Sequence, residues 1–341
     1  MNVKQMKGKI NSGEYDFLRQ DERLKNRLIL LTTGGSHAYG TNIDTEDHVS
    51  DFDLRGIYLN SPEEILTMDC SEKPVENLEL DVTIYPLAQI VKLLVNANPN
   101  TLEILGTKEE HLFVITEEGR MLRNNGDLFL SKRVYASFGG YAIQQLRRLE
   151  NALARDNYPQ KEKERHILCS IEKQMMTFVD RYKPITRDQL RLYIDKSHKE
   201  DYDEEIFIDI NLNHYPLRDL KNMYGEMNQV LKDYSKLNHR NKKKDSLHLL
   251  KHAMHLIRLL IMGAEILEGK GINTYREKDR QLLLDIRNGK YSYEEIFEMV
   301  DKYEKNFEYA KENCVLPDNP DYKRINELVM DINRRVVSRS I

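Results

Sequence analysis

Two carboxylates one residue apart stand in the run Ser50-Asp51-Phe52-Asp53. A Gly34-Gly35-Ser36 turn precedes them, and a further carboxylate, Asp81, follows. On an extended backbone, residues i and i+2 leave the same face, so Asp51 and Asp53 can aim at one point. A third carboxylate from a neighbouring strand completes a set of hard oxygen donors. Such a set suits Mg2+ or Mn2+, which keep other coordination positions for water and phosphate oxygens. Two such ions about 3.5–4 Å apart activate an attacking hydroxyl and stabilise a leaving pyrophosphate. Asp81 is the expected third ligand, with Glu79 on the same strand face as the alternative. Glycine lacks a Cβ, so the Gly34-Gly35 turn lets a ligand approach the backbone. Its N–H groups and the Ser36 hydroxyl can then hold phosphates, with a helix N-cap as the alternative or additional role of Ser36.

Other side chains offer supporting chemistry. Arg55 shares a strand face with Asp53 and can touch a phosphate or pair with an aspartate. Lys251, His255 and Arg258 lie at i, i+4 and i+7, on one helix face, with His248 a turn earlier. A cationic stripe of this kind binds a triphosphate if it faces the carboxylates, and is otherwise a solvated face. His248, His252 and His255 lack an evident carboxylate to complete a metal site. Gln145, Arg147 and Arg148 are cleft or surface residues. Arg287 is a site or helix-terminus residue, and Tyr39, Tyr135 and Tyr141 can stack on a base or pack in the core. The chain also carries its own control. Asp201 and Asp203 repeat the Asp-x-Asp spacing, but no strand and Gly-Ser turn precede them, and they read as an acidic loop.

Positioning these residues requires strands ahead of helices. RLILLTT (27–33), FDLRGIYL (52–59) and LELDVTIY (78–85) read as strands, the last by alternation of Leu78, Leu80, Val82 and Ile84 with polar residues. Pro86 opens a helix whose apolar residues are Leu87, Ile90, Val91, Leu94 and Val95, and Asn98-Pro99-Asn100 breaks it. Residues 1–125 thus read as a small α+β or α/β domain that carries the motif residues, the candidate catalytic domain. Helical spacing predicts helices at 136–156, 160–182, 217–237, 244–268, 276–287, 292–313 and 320–338. Residues 126–341 are therefore a mostly helical domain, with a strand or hairpin near 206–213. The 341 residues carry a formal charge of −4, which argues against a general duplex-coating protein but leaves local basic segments such as NHRNKKKD (238–245). Cys70, Cys169 and Cys314 form no CxxC pair, so neither a disulfide framework nor a cysteine zinc site is expected, and a reducing cytoplasm fits. No apolar run approaches 18 residues and the start lacks an apolar signal region, so neither a membrane span nor a signal peptide is expected.

The order of strand, Gly-Ser, spacer, Asp-x-Asp and third Asp resembles the DNA polymerase β-like nucleotidyltransferases. GGSHAYG, SDFDLRG, NPNTLEIL, FGGYAIQQLRRL and KHAMHLIRLL with LLLDIRNGKYS are more closely similar to a bacterial and phage group of that superfamily. This group includes RNA-repair-associated proteins, and the similarity covers most of 28–125 and returns in 134–150 and 248–293. The resemblance implies a mixed-sheet core followed by a helical domain, and metal-dependent transfer of a nucleoside monophosphate from an NTP. By position it makes Gly35 and Ser36 the phosphate-binding pair and Asp51, Asp53 and Asp81 the metal ligands. The spacer TNIDTEDHV (41–49) departs from the pattern, because Asp44, Glu46 and Asp47 could compete for metal or reshape the entrance. An RNA 3′ end is the first expected acceptor, with a protein hydroxyl or small molecule as competitor. A second copy of the chain or another protein is a candidate partner. A nucleotide-sensing interaction protein with little catalysis is the alternative of a different class.

Overall fold

Leu28–Thr33 forms β1, buried at every residue after Leu28, as its unbroken apolar character requires. Its neighbours are β2 (Leu54–Tyr58) and β5 (Leu112–Ile115), both antiparallel to it. β4 (Val82–Pro86) runs parallel to β2, and β3 (Val75–Asn77) pairs antiparallel with β4. The result is a mixed five-stranded sheet in the order β3-β4-β2-β1-β5. The computed structural model describes residues 1–44, 49–67, 73–157, 168, 189–196, 204–240 and 246–339.

Period-2 alternation sends the two sets of side chains of β2 and β4 to opposite faces. Leu54, Tyr58, Val82 and Ile84 join Met6, Ile10 and Leu18 of the N-terminal helices α1 (Val3–Ile10) and α2 (Phe17–Gln20) in one apolar core. Arg55, Thr83 and Tyr85 alternate with them and face the other way, where they line a polar cavity. α3 (Gly35–Tyr39) follows β1, and α4 (Pro62–Leu66) follows β2. α5 (Leu87–Val95) leaves β4 directly and packs on β2 and β4, burying Leu87, Ile90 and Leu94 as its spacing predicts. α6 (Pro99–Leu105) and α7 (Glu117–Asn124) complete the first stretch.

The strand expected over 78–85 starts later, at Val82. The Asn77 side chain accepts hydrogen bonds from the Glu79 and Leu80 N–H groups, which turns the chain before it can extend. Leu78, counted in the apolar alternation, is 86% exposed. Asp81 therefore stands at the end of a β3–β4 turn, with a left-handed φ of 51°, and not on a strand face.

The remaining helices are α8 (Arg133–Asn157), α9 (Leu217–Arg240), α10 (Ser246–Leu267), α11 (Arg280–Arg287), α12 (Tyr293–Glu312) and α13 (Tyr322–Ser338). Six of the seven expected helices correspond to these. The one expected over 160–182 lies outside the described residues apart from 168, as do Asp201, Asp203, Cys70 and Cys169. The chain divides into two compact units, Met1–Leu146 with Leu250–Ile341, and Arg147–Leu249. In the first, α13 packs against α4 and α7, so the end of the chain returns to the elements around the sheet. In the second, β6 (Leu190–Lys196) and β7 (Glu204–Ile210) form an antiparallel hairpin, with Leu192 opposite Ile208. Among the described residues no helix is long and apolar enough to cross a membrane.

Candidate active site

Topology alone gathers the motif residues. β1 and β2 are antiparallel and β2 and β4 are parallel, so the end of β1 and the starts of β2 and β4 share one sheet edge. Two backbone hydrogen bonds extend the ladder beyond the strands. Gly34 N–H donates to the Asp53 carbonyl at 2.9 Å, and Leu54 N–H donates to the Asp81 carbonyl at 3.1 Å. The Gly-Ser turn, the Asp-x-Asp segment and Asp81 are thereby stitched side by side.

The side chains then fill the edge at close quarters. A Cβ placed on Gly35 would meet Asp53 Oδ2 at 1.9 Å, and Gly35 has a φ of +55°, so a side chain here is strained and must displace the Asp53 carboxylate. A Gly35→Ala variant is expected to add about 1–2 kcal/mol of backbone strain and to push the Asp53 carboxylate away. The metal-dependent NTP turnover that the resemblance implies should collapse while circular dichroism shows the fold retained. Unchanged turnover would contradict the placement of Asp53 against the turn. Arg55 Nη1 donates to the Leu54 and Asp81 carbonyls at 2.8 and 2.6 Å, and Nη2 lies 3.5 Å from Asp53 Oδ1. This arginine braces the Asp53 and Asp81 segments against each other. Ser36 falls inside the first turn of α3, whose N-cap is Gly34, so it does not cap that helix.

Burial raises the pKa of Asp53 above the ordinary aspartate value. Arg55 and Lys251 counter the rise, while Asp81 and Asp51 add to it. Asp51 and Asp81 are themselves exposed. The charged form of Asp53 is therefore held at a cost that a cation beside the cluster would relieve. Among the described residues, no three His, Cys, Asp or Glu side chains close into a metal cage. The donor set is nonetheless of the right kind for a hard divalent ion, being oxygen-only and open to solvent at Asp51 and Asp81. The acid that this turn places beside Asp53 is Asp81. Glu79, the alternative ligand, is exposed in the turn and its N–H is bonded to Asn77.

The cationic stripe of α10 runs from surface to interior. Lys251 is exposed and acts electrostatically on Asp53. His255 lies edge-on to Tyr39, with ring centroids 6.3 Å apart, and burial holds its pKa well below the usual histidine value, so its ring is neutral. Arg258 is 4% exposed, is ion-paired to Glu103, and lies 3.7 Å from the Tyr39 ring centroid. Tyr39 in turn donates its hydroxyl to Glu103 at 2.5 Å. Among the described side chains of the stripe, only Lys251 stands toward the carboxylates, and the Arg258 guanidinium is committed to Glu103. The His248 side chain lies outside the described residues.

Beside the Gly34-Gly35 turn is a cavity of about 200 Å³ lined by Thr33, Arg55, Thr83, Tyr85, Asn100 and Glu103. The Thr33 hydroxyl is buried there without a hydrogen-bond partner. The other side chains singled out in the sequence have structural settings. Tyr135 stacks on Phe307 at 5.1 Å, Tyr141 accepts from Asn98 at 3.1 Å, and Gln145 bonds His252 at 2.8 Å. Arg147 and Arg148 are exposed. Arg287 is not the helix cap, a place taken by Asn288. It turns inward to the Thr41 carbonyl and the Ser50 hydroxyl. Glu103 was missed from sequence. Its only signal was Arg258, a charge interrupting an apolar helix that needs a buried partner.

The RlaP family model, described as the RNA repair pathway DNA polymerase beta family, matches residues 11–331. No curated protein and no solved structure matches the chain.

Proposed function

Because the chain belongs to the RNA repair pathway DNA polymerase beta family, a group whose kind of activity is nucleotidyl transfer, we propose a specific reaction. A divalent metal, Mg2+ or Mn2+, supports transfer of a nucleoside monophosphate from an NTP to an acceptor hydroxyl, the first candidate being an RNA 3′ end. The observation that supports this reading is the stitched sheet edge, where Gly34, Asp53 and Asp81 occupy adjacent backbone positions. Asp51, Asp53 and Asp81 would hold the metal. When bound, divalent ions lower the pKa of the attacking hydroxyl and neutralise the leaving pyrophosphate. The Gly35-Ser36 turn and Lys251 hold the phosphates. Arg55 keeps Asp53 and Asp81 in register through its bonds to both segments. Arg258 and His255 form the wall behind Tyr39, where Arg258 fixes α10 against α6 through Glu103.

The test is incubation with each labelled NTP, a divalent metal, and RNA 3′-hydroxyl, protein and small-molecule acceptors in parallel. A labelled RNA product supports the whole proposal. A labelled protein or small molecule keeps nucleotidyl transfer and removes RNA as acceptor. NTP binding without any product favours a nucleotide sensor. Salt separates the RNA reading from the others, because phosphate contacts release counterions. The logarithm of RNA affinity should fall linearly with the logarithm of salt, by about 0.7 per phosphate contacted on a single strand. A flat response contradicts an RNA acceptor.

A further inference from the structure

Three consecutive carbonyls leave the end of α3, and each receives a donor from a segment roughly 240 residues later. The Tyr39 carbonyl accepts from the Arg276 N–H at 3.0 Å, the Gly40 carbonyl from Arg280 Nε at 2.6 Å, and the Thr41 carbonyl from Arg287 Nη1 at 2.6 Å. A five-residue helix such as α3 is too short to hold itself. The Gly40 and Thr41 N–H groups close its Ser36 and His37 carbonyls. The strap supplies donors to the Tyr39 carbonyl and to the two carbonyls just beyond the helix, two of them from guanidinium groups that suit the negative end of the helix dipole.

The strap is itself rigidly held. Arg276 is ion-paired to Glu265 and Asp279, and Thr274 donates its hydroxyl to the Glu103 carbonyl at 2.7 Å. The Tyr275 ring fills the space over Gly40, where a Cβ would lie 2.5 Å from the ring. Gly40 has a φ of +76°, the left-handed bend that ends α3. Arg287 reaches furthest. It is 7% exposed, and its second nitrogen donates to the Ser50 hydroxyl at 3.4 Å. Ser50 also bonds both the N–H and the carbonyl of Ile43, which closes the loop leading to Asp51. The Asp51 charge acts in turn on Arg287. One guanidinium thus ties the exit of the Gly-Ser helix to the residue immediately before the Asp-x-Asp pair.

We propose that Arg287 is a positioning residue. It fixes Asp51 relative to the Gly34-Gly35-Ser36 turn by clamping both ends of the loop between them, with Arg280 and the Arg276 backbone as auxiliary clamps. Its effect on metal and nucleotide rests on the nucleotidyltransferase reading above, but its effect on the loop does not. A lysine cannot replace it, because one ammonium on a flexible stem does not span two acceptors as a planar fork does.

The experiment compares Arg287→Ala, Arg287→Lys and Arg280→Ala with the full chain by hydrogen exchange and by Mn2+–NTP titration. In Arg287→Ala, peptides covering 36–44 and 49–54 should exchange at least about tenfold faster, with α12 unchanged. The half-saturating Mn2+ concentration should rise about 10–100-fold, the usual effect of losing a group that orients a metal ligand. Arg287→Lys should recover less than half of that loss on a logarithmic scale. Arg280→Ala, which removes one exposed clamp, should loosen the same peptides to a smaller degree and keeps the test decisive if Arg287→Ala does not fold. Ile332→Val in α13 serves as a control for general loss of stability and should move neither readout. If exchange in 36–44 and 49–54 is unaffected in both Arg287→Ala and Arg280→Ala, or changes equally in Ile332→Val, the positioning role is overturned. If the wild-type chain binds no Mn2+–NTP, the functional reading fails while the exchange result still decides the clamp.

Discussion

Replacing Asp51 and Asp53 together by asparagine is expected to eliminate metal-dependent NTP turnover without unfolding the protein. Asparagine keeps the size of the side chain and one oxygen acceptor but removes two of the three negative charges at the sheet edge. If metal stabilisation of the transition state is worth several kcal/mol, turnover should fall by at least about a thousandfold, at 1.36 kcal/mol per factor of ten. Stability should not fall with it. The pKa of Asp53 is raised in the folded state. Its folded form therefore favours the proton, and ionisation weakens folding as pH rises through the titration range. A neutral asparagine removes that penalty at pH 7. A pyrophosphate-release assay and a thermal melt on the double variant check both halves. Full activity would remove the carboxylates from the mechanism, and a collapsed melt would show that they serve the fold.

The second large effect is expected at Glu103 and Arg258. Their ion pair is almost wholly buried and is joined by the Tyr39 hydroxyl. Removing one partner leaves a charge in the interior without compensation, which costs about 3–5 kcal/mol. Glu103→Leu should therefore lower the free energy of urea unfolding by that amount. Adding Arg258→Met should restore most of it, because well-packed apolar pairs replace buried ion pairs at little net cost. If the two losses simply add in the double variant, the pair is not coupled as described. The double variant also separates stability from function. It keeps the core filled but loses the Tyr39 contact, so any remaining activity defect reports on the position of α3.

The site was legible to the extent that it depended on local sequence. Gly34-Gly35 after an apolar run marks a turn, and Asp-x-Asp before FDLRGIYL marks two carboxylates at a strand start. Both features stand at the same sheet edge in the folded chain. The helices α5, α12 and α13 were readable from apolar spacing because each buries one face, and α10 from its apolar run, which is buried on every side from Leu256 to Ala264. The third carboxylate shows where such reading fails. The alternation of Leu78, Leu80 and Val82 mimics a strand, yet one asparagine side chain bends the backbone at 77–80 and places Asp81 at a turn. Periodicity cannot detect a side chain that captures main-chain N–H groups. The cationic stripe had a related difficulty. Helical spacing puts Lys251, His255 and Arg258 on one face, but it does not say that the face tilts inward. Only the distant Glu103 and Tyr39 decide that Arg258 is an interior ion pair. Arg287 read as a site or helix-terminus residue and Arg276 and Arg280 carried no signal for the same reason, since their acceptors are the carbonyls of Tyr39, Gly40 and Thr41, near the other end of the chain.

The central claim is that Asp51, Asp53 and Asp81 gather divalent ions beside the Gly-Ser turn. Its most direct test is the stoichiometry of Mn2+ binding in the presence of a non-hydrolysable NTP, followed by electron paramagnetic resonance. The account predicts two ions per chain in the wild type and loss of both in Asp51→Asn/Asp53→Asn. Equal Mn2+ binding in the two proteins, or none in the wild type, would contradict it.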